Sequence, residues 1–245
     1  MSARPPVPRP AAPIGFAHQG GRSQHAQNTL PAFALALEAR ATGLESDVWL
    51  TADGVPVLDH DGLSGGRPLR LQRRGDLPSH VSALGDLYAL CGPEIMLSLD
   101  VRDPDAVAPV LAVARDAGDG AVANLWLCTE QLEEARAWRR QDDDVRIVHS
   151  TELSEMRDGV AAHLRLLRAE GVDVLNLHEE DWDEQSVGLT HEAGLLAFGW
   201  DAQTRQLIER LVAWGCDGVY SDEVGVLVDV LGRPVDGRAS RQASP

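Results

Sequence analysis

Apolar residues along the chain fall into short dense runs, separated by longer stretches in which they recur every three or four positions. Residues 14–17 read Ile-Gly-Phe-Ala and end in His18, as a buried strand that delivers an imidazole at its tip would. Beyond it, Leu30, Phe33, Ala34 and Leu37 recur at i, i+3, i+4 and i+7. That spacing predicts a helix over 29–40, with Asn28 as its N-cap and Pro31 in its first turn. A strand follows at 44–50, then the turn signal Asp53-Gly54, then a returning run at 55–58 that leads to His60. Further strands are expected at 95–102, 124–129, 145–149, 172–177, 195–200 and 218–221. Helical patterns stand at 82–90, 106–116, 130–140, 155–170, 184–193, 203–214 and 224–231. Gly43, Gly171, Gly194 and Gly215 sit where helices should stop before strands. Residues 62–80, rich in Gly, Arg and Pro and without period, read as a loop over the mouth of the fold.

Eight strands alternating with eight helical segments imply an α/β fold, a single (β/α)8 TIM barrel over residues 14–232, and the length of 245 residues suits one such domain. Residues 1–13 are Pro/Ala/Arg-rich with no apolar core, so a disordered lead-in is expected there rather than a secretory signal; residues 233–245 read as a flexible tail. No run approaches the roughly 20 apolar residues of a membrane span. Cys91, Cys128 and Cys216 are odd in number and far apart, which points to reduced, buried thiols rather than a disulfide framework or a zinc site. Together these features favour the cytoplasm. A net charge of −16 argues against nucleic acid or an anionic membrane as partner, and any anionic ligand would need local cations to overcome it. The oligomeric state is not legible.

Glu45 and Asp47 are two apart on a predicted strand and so share a face, with Ser46 opposite. Unpaired carboxylates side by side are costly to bury, and a cation between them removes that cost; oxygen-only ligands suit Mg2+ or Ca2+. His18 and His60, on either side of the pair, make a general acid/base arrangement around such an ion. On the strand at 95–102, Ser98, Asp100 and Arg102 share the face opposite Leu97 and Leu99, and Asp100 with Arg102 can equally be an internal ion pair. His18, Asp100, His149, His178, Trp200 and Asp222 all fall at carboxyl ends of predicted strands, where barrels of this kind carry their catalytic groups. Of these, His149 and His178 read as buried or rim histidines and Asp222 as a helix cap; His25, His80, His163 and His191 read as loop or surface residues.

In order, the chain shows His18-Gln-Gly, Gln27-Asn-Thr, Glu45-x-Asp47, Asp53-Gly and His60-Asp. This series resembles the opening of the glycerophosphodiester phosphodiesterase family, approximately His-Arg-Gly, Glu-Asn-Thr, Glu-x-Asp, Asp-Gly, His-Asp. The resemblance implies a barrel whose insertion between strands two and three is here trimmed. It also implies metal-dependent hydrolysis of glycerophosphodiesters to glycerol 3-phosphate and an alcohol. By the same resemblance Glu45 and Asp47 are the metal-binding pair and Asp100 the third ligand, where the family reads Glu-x-Lys and this chain Asp-Val-Arg102. His18 and His60 become the general acid and base. Arg102 is expected to face phosphate oxygens, Gln19 to stand in the family's arginine position as a neutral donor, and Trp200 to wall the substrate pocket. Gln19 and Gln27 depart from the family's Arg and Glu. They keep open a barrel that binds a phosphorylated ligand without turnover, beside a third reading, the same chemistry on a lysophospholipid-type diester. Arg22 is a possible substitute cation.

Overall fold

Short runs rich in apolar residues become strands largely buried on both faces, and eight of them close into a barrel. The structure, a computed structural model, describes residues 5–21 and 25–232. Its strands are β1 (Ile14–Ala17), β2 (Gly43–Leu50), β3 (Met96–Val101), β4 (Leu125–Thr129), β5 (Arg146–Thr151), β6 (Val174–His178), β7 (Leu196–Trp200) and β8 (Gly218–Ser221). Each pairs in parallel with the next, and β1 pairs with both β8 and β2, which closes the ring. The helices α1 (Leu30–Glu38), α2 (Leu84–Cys91), α3 (Val107–Ala117), α4 (Leu132–Arg139), α5 (Val160–Glu170), α6 (Glu184–Glu192), α7 (Arg205–Trp214) and α8 (Val224–Leu231) each follow one strand. The architecture is the expected (β/α)8 barrel.

Side-chain alternation divides the core in two. Outward residues such as Leu97, Leu99, Leu175 and Leu177 pack under the helices. Inward residues Phe16, Trp126, Val148, Val174, Phe198 and Tyr220 fill the barrel itself. Phe16 stacks on Tyr220 at 4.6 Å between ring centroids, and Trp126 meets Phe198 at 5.2 Å. Gly43 belongs to this packing. It is a β2 residue, not a helix stop, and a Cβ there would lie 2.6 Å from the Phe16 ring. The left-handed residue that ends α1 is Arg40, at φ 68°. Gly171 and Gly215 do close α5 and α7 in that conformation.

Three further expectations are corrected. The part of the lead-in that is described, residues 5–13, lacks helix and strand yet is docked on the barrel floor: Arg9 reaches Asp217 at 2.6 Å and the Gly215 carbonyl at 2.8 Å, and Val7 packs on the inner core. Residues 62–80 are a folded arm rather than a periodless loop. A two-stranded hairpin (Leu63–Ser64 with Arg67–Pro68) and two 3-10 turns sit on the antiparallel strand Pro56–Leu58, sharing a small core of Val57, Leu69, Leu77 and Val81. The predicted helix over 155–170 starts only at Val160, because Gly159 at φ 82° separates it from the 3-10 turn Leu153–Glu155. Residues 1–4, 22–24 and 233–245, and with them Arg22 and the expected tail, lie outside the described residues.

Candidate active site

The carboxyl ends of β1, β2, β3 and β8 converge on one group of side chains. The register sets Asp47 of β2 beside Asp100 of β3, and one carboxylate oxygen from each of Glu45, Asp47 and Asp100 lies within 4.8 Å of the others. Glu45 and Asp47 are buried; Asp100 is half-buried. Burial, and the like charges of Asp47 and Asp100, raise the Glu45 carboxyl well above its usual range despite an opposing pull from His18. Burial likewise raises Asp100, against the Arg102 charge. The three-acid cluster expected from the sequence is therefore present, and its oxygens suffer the mutual repulsion that a cation would relieve.

Backbone and neutral donors hold these acids in place. The chain leaves β1 through Gln19, at φ 52°, so that its backbone N–H donates to Glu45 Oε2 at 2.9 Å and its side-chain amide to Asp47 Oδ2 at 2.9 Å. Asn28 is not the N-cap of α1; Thr29 occupies that place. At φ 56°, Asn28 donates to Asp47 Oδ2 at 3.1 Å and accepts from the Ser46 hydroxyl at 2.6 Å. Arg102 reaches Asp47 Oδ1 at 2.8 Å and Asp100 Oδ2 at 3.1 Å. The Cys128 thiol, expected only as a reduced, buried cysteine, touches Ser98 Oγ at 3.2 Å and stands beside Asp100 in the β3–β4 register.

His18 stands over the cluster with Nε2 3.7 Å from Glu45 Oε2, while its Nδ1–H donates to Asp222 Oδ1 at 2.6 Å. Asp222 is thus the orienting partner of His18, not a helix cap; the α8 cap position is Glu223. Burial alone would lower the imidazole, but Glu45, Asp222 and Asp47 outweigh it and lift His18 to about 9. His60 lies elsewhere. Its strand hugs β2, with the Asp59 N–H on the Asp47 carbonyl at 3.2 Å, but its ring is about half exposed and bonds Asp61 at 2.8 Å.

A cavity of about 980 Å³ opens in front of His18, lined among others by Glu45, Asp100, Arg102 and Trp200. His149, expected as a buried or rim histidine, is buried, and His163, expected in a loop or at the surface, lies with it in the cavity wall, the two rings 5.3 Å apart and tilted by 35°; burial together with His163 pushes His149 down to about 4. His191 is half-buried on α6, bonded to Asp217 at 2.8 Å, rather than a surface residue.

Part of the sequence, and the fold, have known counterparts. Residues 18–83 match the model of the Glycerophosphoryl diester phosphodiesterase family, and that stretch contains His18, Gln19, Glu45, Asp47 and His60. That match runs from the tip of β1 to the start of α2, and over it the chain is similar to this family. A 46-residue stretch of the chain is 51% identical to Glycerophosphodiester phosphodiesterase 1 of Rattus norvegicus, covering 19% of this chain and 14% of that protein. The matched stretch thus spans about one seventh of this curated relative's length. The barrel superposes on glycerophosphodiester phosphodiesterase of Thermotoga maritima with TM-score 0.77 at 20% identity, covering 89% of this chain and 98% of that one. It also superposes on an Oleispira antarctica phosphodiesterase solved with the product sn-glycerol-3-phosphate, with TM-score 0.80 at 18% identity over 91% and 98% of the two chains. At such identities the superpositions establish the fold. No helix among the described residues is long and apolar enough to cross a membrane.

Proposed function

We propose that the protein hydrolyses glycerophosphodiesters to glycerol 3-phosphate and an alcohol, with His18 transferring a proton at the barrel mouth. One observation carries this reading: an imidazole gripped by Asp222 at 2.6 Å turns its other nitrogen over a nest of three carboxylates and an arginine, inside an open cavity. Such a group is fixed in tautomer and direction, as proton transfer in a transition state requires.

The donor set fits a divalent cation. Glu45, Asp47 and Asp100 would hold it with oxygens alone, in keeping with Mg2+ or Ca2+, and Arg102 and His18 leave the three carboxylates and Asp222 short of neutrality. When bound, such an ion polarises a phosphoryl oxygen and lowers the pKa of an attacking hydroxyl. Asp47 already accepts four contacts, from Gln19, Asn28 and two nitrogens of Arg102, which fills the roughly four lone-pair sites of a carboxylate. It can ligate only by releasing one of them, whereas Glu45 accepts a hydrogen bond on one oxygen from Gln19. Arg102 meets phosphate oxygens with the same fork that now bridges Asp47 and Asp100. His60 is the second proposed proton-transfer group, supported by the contact of its strand with β2; it must turn from Asp61 to act.

The rival reading, binding without turnover, rests on Gln19 and Gln27 standing where the family has charged residues. Gln19 weakens it, because this residue's two hydrogen bonds do the holding of Glu45 and Asp47 without a charge. The deciding experiment follows release of alcohol from glycerophosphodiesters with Mg2+ or Ca2+, against chelator and against His18→Ala. Turnover that requires both the ion and His18 is the expected result; turnover indifferent to both removes the mechanism. Stabilisation by the ion with no diester cleaved in a broad panel, lysophospholipids included, would favour the binding reading.

A further inference from the structure

Asp222 directs His18, and the loop between β7 and α7 in turn holds Asp222. The Asp222 backbone N–H donates to Gln203 Oε1 at 2.9 Å, and the Ser221 hydroxyl donates to the same oxygen at 3.2 Å. Gln203 is half-buried in the cavity wall and meets these partners across 19 and 18 residues of sequence. Its other end is fixed as well, since Nε2 donates to Asp201 Oδ1 at 2.9 Å.

A side-chain amide can turn its oxygen and nitrogen end for end, but here one orientation satisfies every neighbour. The Asp201 carboxylate only accepts, so it takes the Nε2 end; the Asp222 N–H only donates, so it takes the oxygen. Ser221 Oγ accepts from the Glu223 N–H at 3.1 Å and so has its proton left for Gln203. Asp201 holds its place at φ 63°, a left-handed backbone that Asp and Asn adopt most readily among residues with a side chain. The chain of contacts Asp201–Gln203–Asp222 ends on the Nδ1–H of His18, 2.6 Å from Asp222 Oδ1.

We propose that Gln203 is a positioning residue for the proton transfer: by holding the backbone of Asp222 with an amide that Asp201 orients, it sets the direction in which His18 Nε2 points. The inference rests on the diesterase reading, with His18 as the proton-transfer group. A shift of the backbone at Asp222 carries its carboxylate off the imidazole, and a misplacement of about 1 Å can slow a positioned reaction by about 10²-fold. Gln203 itself need not touch the reacting atoms.

Gln203→Met keeps the length of the side chain and removes the acceptor. We expect kcat to fall about tenfold with KM unchanged. The Gln203→Glu/Asp201→Asn pair exchanges donor and acceptor between the two positions and returns an acceptor to the Asp222 N–H. It should recover most of the loss, since asparagine suits the left-handed backbone at 201 as aspartate does. A second readout needs no substrate. The His18 Nδ1–H lies in a short hydrogen bond to a carboxylate, so its proton resonance should stand downfield of the amides and exchange slowly. In Gln203→Met that resonance should weaken or move, while the resonance of His191 on Asp217 stays in place and reports a folded barrel.

Lower stability with kcat per folded molecule and the His18 resonance both unchanged would make Gln203 a purely structural residue and overturn the proposal. So would a raised KM with kcat intact, the mark of a substrate contact, or a lowered kcat with the His18 resonance unmoved. Gln203→Asn, which withdraws the same carbonyl by one methylene, gives the same readings if the first variant folds poorly. If the wild type cleaves no diester, the hydrolytic reading falls, and the His18 resonance alone decides whether Gln203 directs the imidazole.

Discussion

The floor and the mouth of this barrel both bury carboxylates, and they treat them in opposite ways. On the floor, Asp217 accepts from Arg9 at 2.6 Å, from His191 at 2.8 Å and from the Ala197 N–H at 3.0 Å. Asp173, beside it, accepts from Arg139 at 2.5 Å and from the Ile147 N–H at 2.9 Å. Each floor acid has its own cation and its own backbone donor, and each ties together segments far apart in sequence. At the mouth, three acids crowd within 4.8 Å around one arginine, and burial together with that crowding raises the Glu45 carboxyl. Paired acids hold a fold together; crowded acids are retained at a cost to stability where they serve chemistry.

The contrast predicts that mouth and floor substitutions separate activity from stability. His18→Ala should lower kcat by about 10³-fold, the usual worth of a positioned proton-transfer group, with the melting temperature little changed. On the floor, Arg139→Ala strands the buried Asp173 carboxylate and should cost about 3–5 kcal/mol in denaturant unfolding, while the little enzyme that stays folded keeps its kcat. If Arg139→Ala instead cut kcat with stability intact, the division between the two ends would be wrong.

Asp222→Asn comes next. It keeps the size of the side chain but loses the charge that grips His18 Nδ1, and should lower kcat by about 10²-fold while leaving ion affinity near its starting value. A second readout is the His18 titration, which should fall below about 9 in the variant, since Asp222 is among the charges that raise it. Unchanged titration would mean that Glu45 and Asp47 set the imidazole without Asp222. Glu45→Gln should abolish ion-dependent turnover yet raise stability in the absence of the ion by about 1 kcal/mol, because the folded site holds this carboxyl above its usual range, to about 8, at a cost that a neutral amide does not bear. Destabilisation by that variant would deny the crowding.

How much of this could be read from the residues alone follows from the range of each signal. The barrel was legible because strand and helix periods are local, and the Glu45–Asp47 pair because alternation on one strand fixes its face. Asp100 was legible by the same alternation on β3. Asp222 was not: it meets His18 across 204 residues of sequence, and an Asp before a helix reads first as a cap. Asn28 misled for the same reason, since nothing local says that its amide turns back to Asp47. The fold of residues 62–80 was hidden by its composition, because a core as small as Val57, Leu69, Leu77 and Val81 leaves no periodic trace.

The smallest predicted effect sharpens the contrast within the mouth itself. His18 and His149 line one cavity, yet the first is lifted to about 9 and the second pushed down to about 4. Burial lowers both; only His18 has carboxylates close enough to reverse it, whereas His149 faces a second histidine, His163. The consequences for stability have opposite signs. His18, raised above its unfolded value, contributes stability below about pH 6.5 that is lost as pH climbs through about 9. His149, depressed, contributes stability above about pH 6.5 that is lost as pH falls toward about 4, since only the unfolded chain can then take up the proton freely. His149→Gln should therefore flatten the loss of stability between those two pH values by about 1 kcal/mol, with the alkaline limb unaffected. Urea unfolding at half-unit pH steps measures it, and parallel acid limbs in wild type and variant would show that the buried imidazole pair plays no part in acid sensitivity.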